Sequence, residues 1–289
     1  MKYASFLRPD GSEAYGRVEQ ERIVDLTGTD SPGASRSTPP DLRTAIASGV
    51  LAGLKSDREY SFGQIQLLPV IPQPGKIVCV GLNYETHRKE TGRAEAEHPA
   101  IFTRFADTLV AHGQPIVRPL VSEQLDYEGE LAIVIGRPGR SIARSRAFEH
   151  IAGFSCFNDG SIRDWQRHNI QFTPGKNFPG TGAFGPCLVT PDEIGELSSI
   201  HVITRLNGQV VQDQPIGEMI WPIDELIAYV SQFTPLAPGD VIATGTPGGV
   251  GSKRTPPLWM KSGDRVEVDI GIIGKLVNPI VDETPVAEI

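Results

Sequence analysis

The chain has 289 residues, 39% of them hydrophobic and 21% charged, which is enough for one large domain, or a large and a small one, around a sizeable core. Its formal net charge of −8 argues against nucleic acid and anionic membrane surfaces as partners, yet allows a local positive pocket for a small anionic substrate. Cys79, Cys156 and Cys187 lack CxxC spacing, the first residues carry no apolar signal core, and no run reaches the roughly 18 apolar residues of a membrane span; buried free thiols in a reducing cytoplasm are the expectation.

Residues 1–70 read as a small N-terminal α+β unit. KYASFLRPDGSEAYGRVEQERIVDL suggests short strands turning at Asp10-Gly11, and SPGASRSTPP a loop. DLRTAIASGVLAGL has Leu42, Ile46, Val50, Leu51 and Leu54 at helical spacing, with Asp41 placed to cap the helix. The prolines of LLPVIPQPGK mark a boundary, and residues 71–289 form the second unit. There, KIVCVGLNY reads as a strand, and ETHRKETGR and SIRDWQRHN as short helical pieces. LDYEGELAIVIG is a further strand, HVITRLNGQVVQD a hairpin about Asn207-Gly208, and IDELIAYVSQFTPL an amphipathic helix. GDVIATGTPGGVG and GDRVEVDIGIIGKLVNPIV supply the last strands. The chain is therefore α+β, mainly β, and not a doubly wound βαβ fold.

LDYEGELAIVIG places Asp126, Glu128 and Glu130 at alternate positions, on one face of a strand. Tyr127, Leu131, Ile133 and Ile135 take the other face, Gly129 leaves room between, and Ala132 and Val134 carry the acidic face into the core. A solvated strand end with its acids outward is one reading. The other is a divalent cation, because carboxylates entering a buried surface raise one another's pKa or need a counter-charge. Asp159, at a strand-to-turn junction before Gly160, is a candidate third ligand, though spacing does not say whether it meets Glu128 and Glu130. An all-carboxylate set suits Mg²⁺ or Mn²⁺ and lacks the His and Cys of zinc sites.

KIVCVGLNYETHRKE, LDYEGELAIVIGR, NDGSIRDWQ, GKNF, PGDVIATGTPGGVG and SGDRVEVDIGIIGKLVN, in this order from Pro74 to about Val281, resemble the fumarylacetoacetate hydrolase family. The first seventy residues resemble the small N-terminal domain of its bacterial, acylpyruvate hydrolase-like members. The resemblance implies a β-roll catalytic domain of sandwich-like character with short helices, in a homodimer. It implies Mg²⁺ or Mn²⁺ (replaceable by Ca²⁺ in crystals) on Glu128, Glu130 and Asp159, with Asp126 in support. It also implies action on small 2-oxo or β-diketo acids.

Within that frame His87 and Glu90, three apart on one helical turn, form a general-base pair on a lid over the metal; by itself HxxE suits a solvated helix face. Lys176, otherwise readable as a surface lysine, faces the substrate and stabilises an enolate. Gln166 and Thr246 bind substrate, and Arg104 binds a carboxylate. Arg163 ties the metal loop together, His112 is structural and His168 has no assigned role. Asn177 stands where many members have Ser, and Ile162 where many have Ala. TGTPGGVG fits neither common phosphate-loop pattern, GFSCF lacks the closing glycine of a serine-nucleophile elbow, and HExxH is absent.

The expected reaction is hydrolysis of a C–C bond in an acylpyruvate of the fumarylpyruvate or maleylpyruvate type, as in aromatic compound catabolism. His87, oriented by Glu90, takes a proton from water, and Lys176 and the metal stabilise the departing pyruvate enolate. The alternative keeps the enolate and changes the reaction: oxaloacetate decarboxylation, keto–enol isomerisation, or cleavage of a 2-oxo sugar acid. A non-catalytic metabolite-binding relative is a third class.

Overall fold

A computed structural model describes residues 1–28 and 39–285. Most of the loop expected at SPGASRSTPP lies outside these residues.

The N-terminal segment contributes β1 (Lys2–Leu7), β2 (Glu13–Glu19), β3 (Arg22–Asp25), β4 (Glu59–Ser61) and β5 (Gln66–Leu67), with helix α1 (Leu42–Ser48). Asp41 caps α1 by accepting from the Thr44 amide, and Gly49 ends it in the left-handed region. The chain continues through β6 (Ile77–Gly81), α2 (Glu85–Thr91), β7 (Ala100–Arg104), β8 (Leu109–Val110), β9 (Ile116–Arg118) and β10 (Leu125–Asp126). Next come β11 (Gly129–Ile135), β12 (Ile151–Asn158), β13 (Ser161–Ile162), α3 (Arg163–Gln166), α4 (Thr173–Lys176) and β14 (Gly182–Val189). β15 (His201–Leu206) and β16 (Gln209–Pro215) make the hairpin, whose Asn207 and Gly208 have φ of 52° and 80°. Helix α5 (Ile223–Phe233), β17 (Val241–Ala243), β18 (Arg265–Asp269) and β19 (Lys275–Asp282) close the fold.

Among the described residues a twelve-stranded sheet runs β4-β3-β2-β1-β14-β12-β11-β17-β6-β7, with β5 on β1 and β8 on β14. The N-terminal strands join the rest through β1, antiparallel to β14. A five-stranded sheet, β16-β15-β18-β19-β9, and a two-stranded ladder, β10-β13, complete the β structure. The fold is mixed α+β and mainly sheet, as composition and periodicity indicate.

β11 explains the sandwich-like character. Leu131, Ile133 and Ile135 are fully buried in one core with Val266 and Val268 of β18, Leu276 of β19 and Leu226, Ile227 and Val230 of α5. Ala132 and Val134, pointing the opposite way, belong to a second core with Leu42, Ala45 and Ile46 of α1 and Leu188 of β14. Burying each Leu or Ile contributes about 1.5–3 kcal/mol, so this strand is held from both faces. A Cβ at Gly129 would lie 2.0 Å from the Thr204 hydroxyl oxygen, so glycine is what lets β15 approach the start of β11. Among the described residues no helix is long and apolar enough to cross a membrane.

Candidate metal centre and acid–base pair

The acids expected along one continuous strand divide at Tyr127-Glu128. β10 pairs with β13, and β11 pairs with β12 and β17. Asp126 therefore turns aside. Its Oδ1 accepts from the amides of Tyr127 (2.9 Å) and Gly251 (2.8 Å), and its Oδ2 from the Ser252 amide (2.9 Å) and Arg163 Nε (2.8 Å). Every acceptor direction is directed at the protein, which makes Asp126 a brace for the 250–252 turn.

Glu128 and Glu130 meet Asp159. The register Gly129↔Asn158 sets the ends of β11 and β12 side by side. The Asp159 amide donates to Glu128 O (2.9 Å), and the Glu128 amide to Asn158 Oδ1 (3.0 Å). One carboxylate oxygen from each of Glu128, Glu130 and Asp159 lies within 4.8 Å of the others, and all three residues are buried. This is the contact that spacing left open.

Three cations neutralise part of the charge. Lys176 Nζ donates to Glu128 Oε2 (2.6 Å) and Asp159 Oδ2 (2.5 Å) and sits 4.9 Å from the Phe102 ring centroid. Burial pulls the Lys176 ammonium down, but Asp159 and Glu128 outweigh it and raise its pKa. Arg163 bridges Asp126 and Glu128, with Nη2 2.6 Å from Glu128 Oε1, and Nη1 donates to Gln166 Oε1 (2.9 Å). Burial raises the Glu128 carboxyl, yet Arg163 and Lys176 together hold it below the usual range. Arg104 donates from Nη1 to Asp159 Oδ1 (2.7 Å) and Gly160 O (2.9 Å), and from Nη2 to Thr181 Oγ1 (2.8 Å).

Glu130 is different. Among the described residues it has no cation in ion-pair contact; its Oε2 accepts from the Gly245 amide at 2.9 Å. Burial first, then Asp159 and Glu128, push its carboxyl well above the usual range. A buried, unmatched carboxylate beside two others is a donor set that fits a hard divalent cation.

Across the cleft, α2 presents His87 and Glu90 on one face, because residues three apart are neighbours on a helix. His87 Nδ1 is 2.7 Å from Glu90 Oε1, and Glu90 Oε2 accepts from the Gly249 amide (2.8 Å). A carboxylate only accepts, so the proton of the first bond sits on Nδ1 and Nε2 is the basic nitrogen. Thr86 accepts from the Gly248 amide (3.0 Å) and donates to Gln214 (2.5 Å), docking α2 on the TGTPGGVG loop.

His87, Glu128, Glu130, Gln166, Lys176 and Thr246 all line one cleft of about 440 Å³. Two expected substrate contacts differ. Arg104 is not in the wall: its side chain is fully buried behind Asp159 with its donors taken up by protein oxygens. Thr246 is in the wall, but its hydroxyl donates to Gly129 O (2.9 Å) and accepts from Gln212 Nε2 (2.8 Å), leaving no proton for a substrate carboxylate.

Gln212 was not legible as a site residue. It also accepts from the Gly129 amide and so ties the start of β11 to Thr246, and no local spacing signals that. Asn177 links Phe105 N and Thr103 O on the Arg104 side to Thr173 O in α4, holding Lys176 beside its acids. A Cβ at Gly175 would fall 2.3 Å from the Gln166 amide nitrogen, so this glycine permits α3 and α4 to touch.

Residues 76–281 match the family described as fumarylacetoacetate (FAA) hydrolase C-terminal. The chain is 41% identical over 220 residues to a mitochondrial oxaloacetate tautomerase of Homo sapiens, covering 75% of this chain and 70% of that one. It is 42% identical over 226 residues to the oxaloacetate tautomerase YisK of Bacillus subtilis (strain 168), covering 76% and 75%. Among solved structures, a fumarylacetoacetate hydrolase from psychrophilic Exiguobacterium antarcticum superposes with a TM-score of 0.84 at 35% identity, covering 98% of this chain and 100% of that one. A 5-carboxymethyl-2-hydroxymuconate delta-isomerase from Mycobacterium smegmatis gives 0.78 at 30%, with the same coverage. With residues 76–281, most of this chain, matching the family and the carboxylate triad assembled inside that span, the chain belongs to the fumarylacetoacetate hydrolase family.

Proposed function

We propose that this protein is a metal-assisted enzyme of 2-oxo acids that interconverts the keto and enol forms of an oxaloacetate-class dicarboxylate. The observation that carries the reading is that Glu128 and Glu130, of the buried triad with Asp159, line the same cleft as His87 of the His87–Glu90 couple. Relatives at 41–42% identity bearing the name oxaloacetate tautomerase support the choice of reaction.

Glu128, Glu130 and Asp159 would hold Mg²⁺ or Mn²⁺, which when bound supplies Lewis acidity toward the 2-oxo acid end of the substrate. His87 Nε2 takes the proton from the carbon next to the carbonyl and the enolate oxygen takes one up from solvent; in the reverse direction the enol oxygen gives its proton to solvent and His87 returns one to the carbon. Glu90 keeps Nδ1 protonated and stabilises the imidazolium as it forms. Lys176, held cationic, faces the negative charge that develops on the enolate oxygen. Gln166 and Arg163 present fixed polar groups beside it.

The test is the decay of enol oxaloacetate followed by ultraviolet absorbance with Mg²⁺. Wild-type protein accelerates it and His87→Ala does not. No acceleration by the wild type overturns the reading.

Acylpyruvate hydrolysis, the reaction expected first from the sequence, stays as the second reading, because the same His87–Glu90 couple is suited to activating water. Heavy-oxygen water separates the two, since only hydrolysis puts label in a released acid. Homodimer assembly and a division at residue 70, supported by the family resemblance, and a cytoplasmic location, supported by the buried free thiols of Cys79, Cys156 and Cys187, complete the proposal. Size-exclusion chromatography with light scattering checks the first.

A further inference from the structure

Among the described residues β16 is an edge strand, paired in its sheet with β15 alone. That pairing slips once: Thr204 faces Gln212, Arg205 faces Val210, and Val211 is the extra residue of a bulge. The bulge changes which side chains turn inward. Val210 and Asp213 are exposed, whereas Val211, Gln212 and Gln214 are buried. Strict alternation from Val210 would leave Gln212 and Gln214 in solvent, and the inserted residue re-aims both at the interior.

Each glutamine then meets a different half of the site. Gln212 accepts from the Gly129 amide (3.0 Å) and donates to Thr246 Oγ1 (2.8 Å) and Pro247 O (2.7 Å), and the Thr246 hydroxyl donates to Gly129 O (2.9 Å). The two peptide groups that join Glu128, Gly129 and Glu130 are thereby both held from Gln212. Gln214 accepts from the Thr86 hydroxyl (2.5 Å) and donates to Glu218, and Thr86 lies on the helix that carries His87 and Glu90. At the bulge itself, Val211 O accepts from Arg254 Nη2 (2.7 Å). A Cβ at Gly249 would lie 2.2 Å from that oxygen, so the residue whose amide holds Glu90 is pressed against β16.

We infer that β16 is a spacer that sets the metal strand against the helix of the general base, with Gln212 positioning the carboxylates of Glu128 and Glu130 and Gln214 positioning His87. Two residues of strand place the glutamines about 7 Å apart on one face. Neither lines the cleft. Each acts through a partner, and a misplacement of about an ångström there is enough to cost affinity or rate. The inference rests on the reading that the triad holds the cation and His87 moves the proton.

The experiment compares Gln212→Met and Gln214→Met, which keep side-chain length and remove the hydrogen bonds. The readouts are Mg²⁺ calorimetry, amide hydrogen exchange and the enol oxaloacetate assay. Gln212→Met weakens Mg²⁺ binding by about tenfold and speeds exchange at the Gly129 amide, and Thr246→Val reproduces both. Gln214→Met leaves Mg²⁺ affinity at the wild-type value, speeds exchange across Glu85–Thr91, and lowers kcat by about tenfold with KM little changed. Thr86→Val does the same, Thr86→Ser, which keeps the hydroxyl, restores most of the rate, and Thr86→Val/Gln214→Met is no worse than either single change. Mg²⁺ affinity lowered equally by both glutamine changes, or by neither, overturns the inference, as does unchanged exchange in α2 on losing Gln214. A wild type inactive on enol oxaloacetate that still shows the divided metal and exchange responses sinks the tautomerase reading and leaves the spacer standing.

Discussion

Two regions of this molecule bury carboxylates among cations, and they do so to opposite effect. In the N-terminal strands Asp25 is one carboxylate facing two guanidinium groups, Arg8 (2.8 Å) and Arg58 (3.2 Å), and it also accepts from the Thr27 amide (2.9 Å). At the cleft floor four carboxylates, Asp126, Glu128, Glu130 and Asp159, face three cations, Arg104, Arg163 and Lys176. The shortfall falls on Glu130. A cluster that serves stability satisfies its own charges; one that awaits a ligand leaves a defined deficit.

The comparison breaks most visibly at Asp159. Asp159→Ala strips Arg104 and Lys176 of a buried partner and removes a triad oxygen, so turnover is lost and stability falls by about 3–5 kcal/mol in urea unfolding. A variant of wild-type stability would show that these cations find other acceptors. His87→Ala separates chemistry from charge balance. The rate of enol interconversion falls by about a hundred- to ten-thousandfold, while Mg²⁺ binding, read by thermal shift, is retained.

Metal itself sharpens the contrast. Mg²⁺ at a hundredfold excess over its Kd stabilises wild type by about 2.7 kcal/mol, measured by unfolding with and without chelator. Glu130→Gln abolishes that response and changes the metal-free stability by about 1 kcal/mol or less, because the unmatched charge is what it removes. Equal metal stabilisation in this variant would place the cation elsewhere.

The smallest effect belongs to the satisfied region. Burial works against the Asp25 charge, but the Arg8 hydrogen bond and the Thr27 amide outweigh it and hold the carboxyl below its ordinary 3.8. The folded pKa lies below the unfolded one, so this stabilisation is complete above 3.8 and fades as pH falls through the folded value. Asp25→Asn therefore costs about 1–2 kcal/mol at neutral pH, with no change in enol interconversion, and its gap from wild type narrows in acid. A gap that widens in acid would reverse the sign of the argument.

Much of the architecture is local and was legible. The Asp41 cap, the Asn207-Gly208 turn and the helical spacing of Ile223, Leu226, Ile227 and Val230 each depend on residues a few positions apart. The alternation of β11 likewise anticipated two buried faces. The candidate metal residues were legible through motif order, since Glu128, Glu130 and Asp159 sit in segments whose sequence carries the family resemblance.

What the chain determined by itself was the set of acids, the cations available to meet them, and the strands and turns that carry them. Tertiary structure decided the pairing. Asp126 turned toward amides at Gly251 and Ser252, Arg104 backed Asp159 instead of facing the cleft, and the Thr246 proton went to Gly129 O. Strand periodicity assigns a face, whereas neutralisation acts through space and depends on which distant segment arrives there. That is also why Arg93, Arg167 and Lys253, from three separate segments, come to line one cleft only in the folded chain.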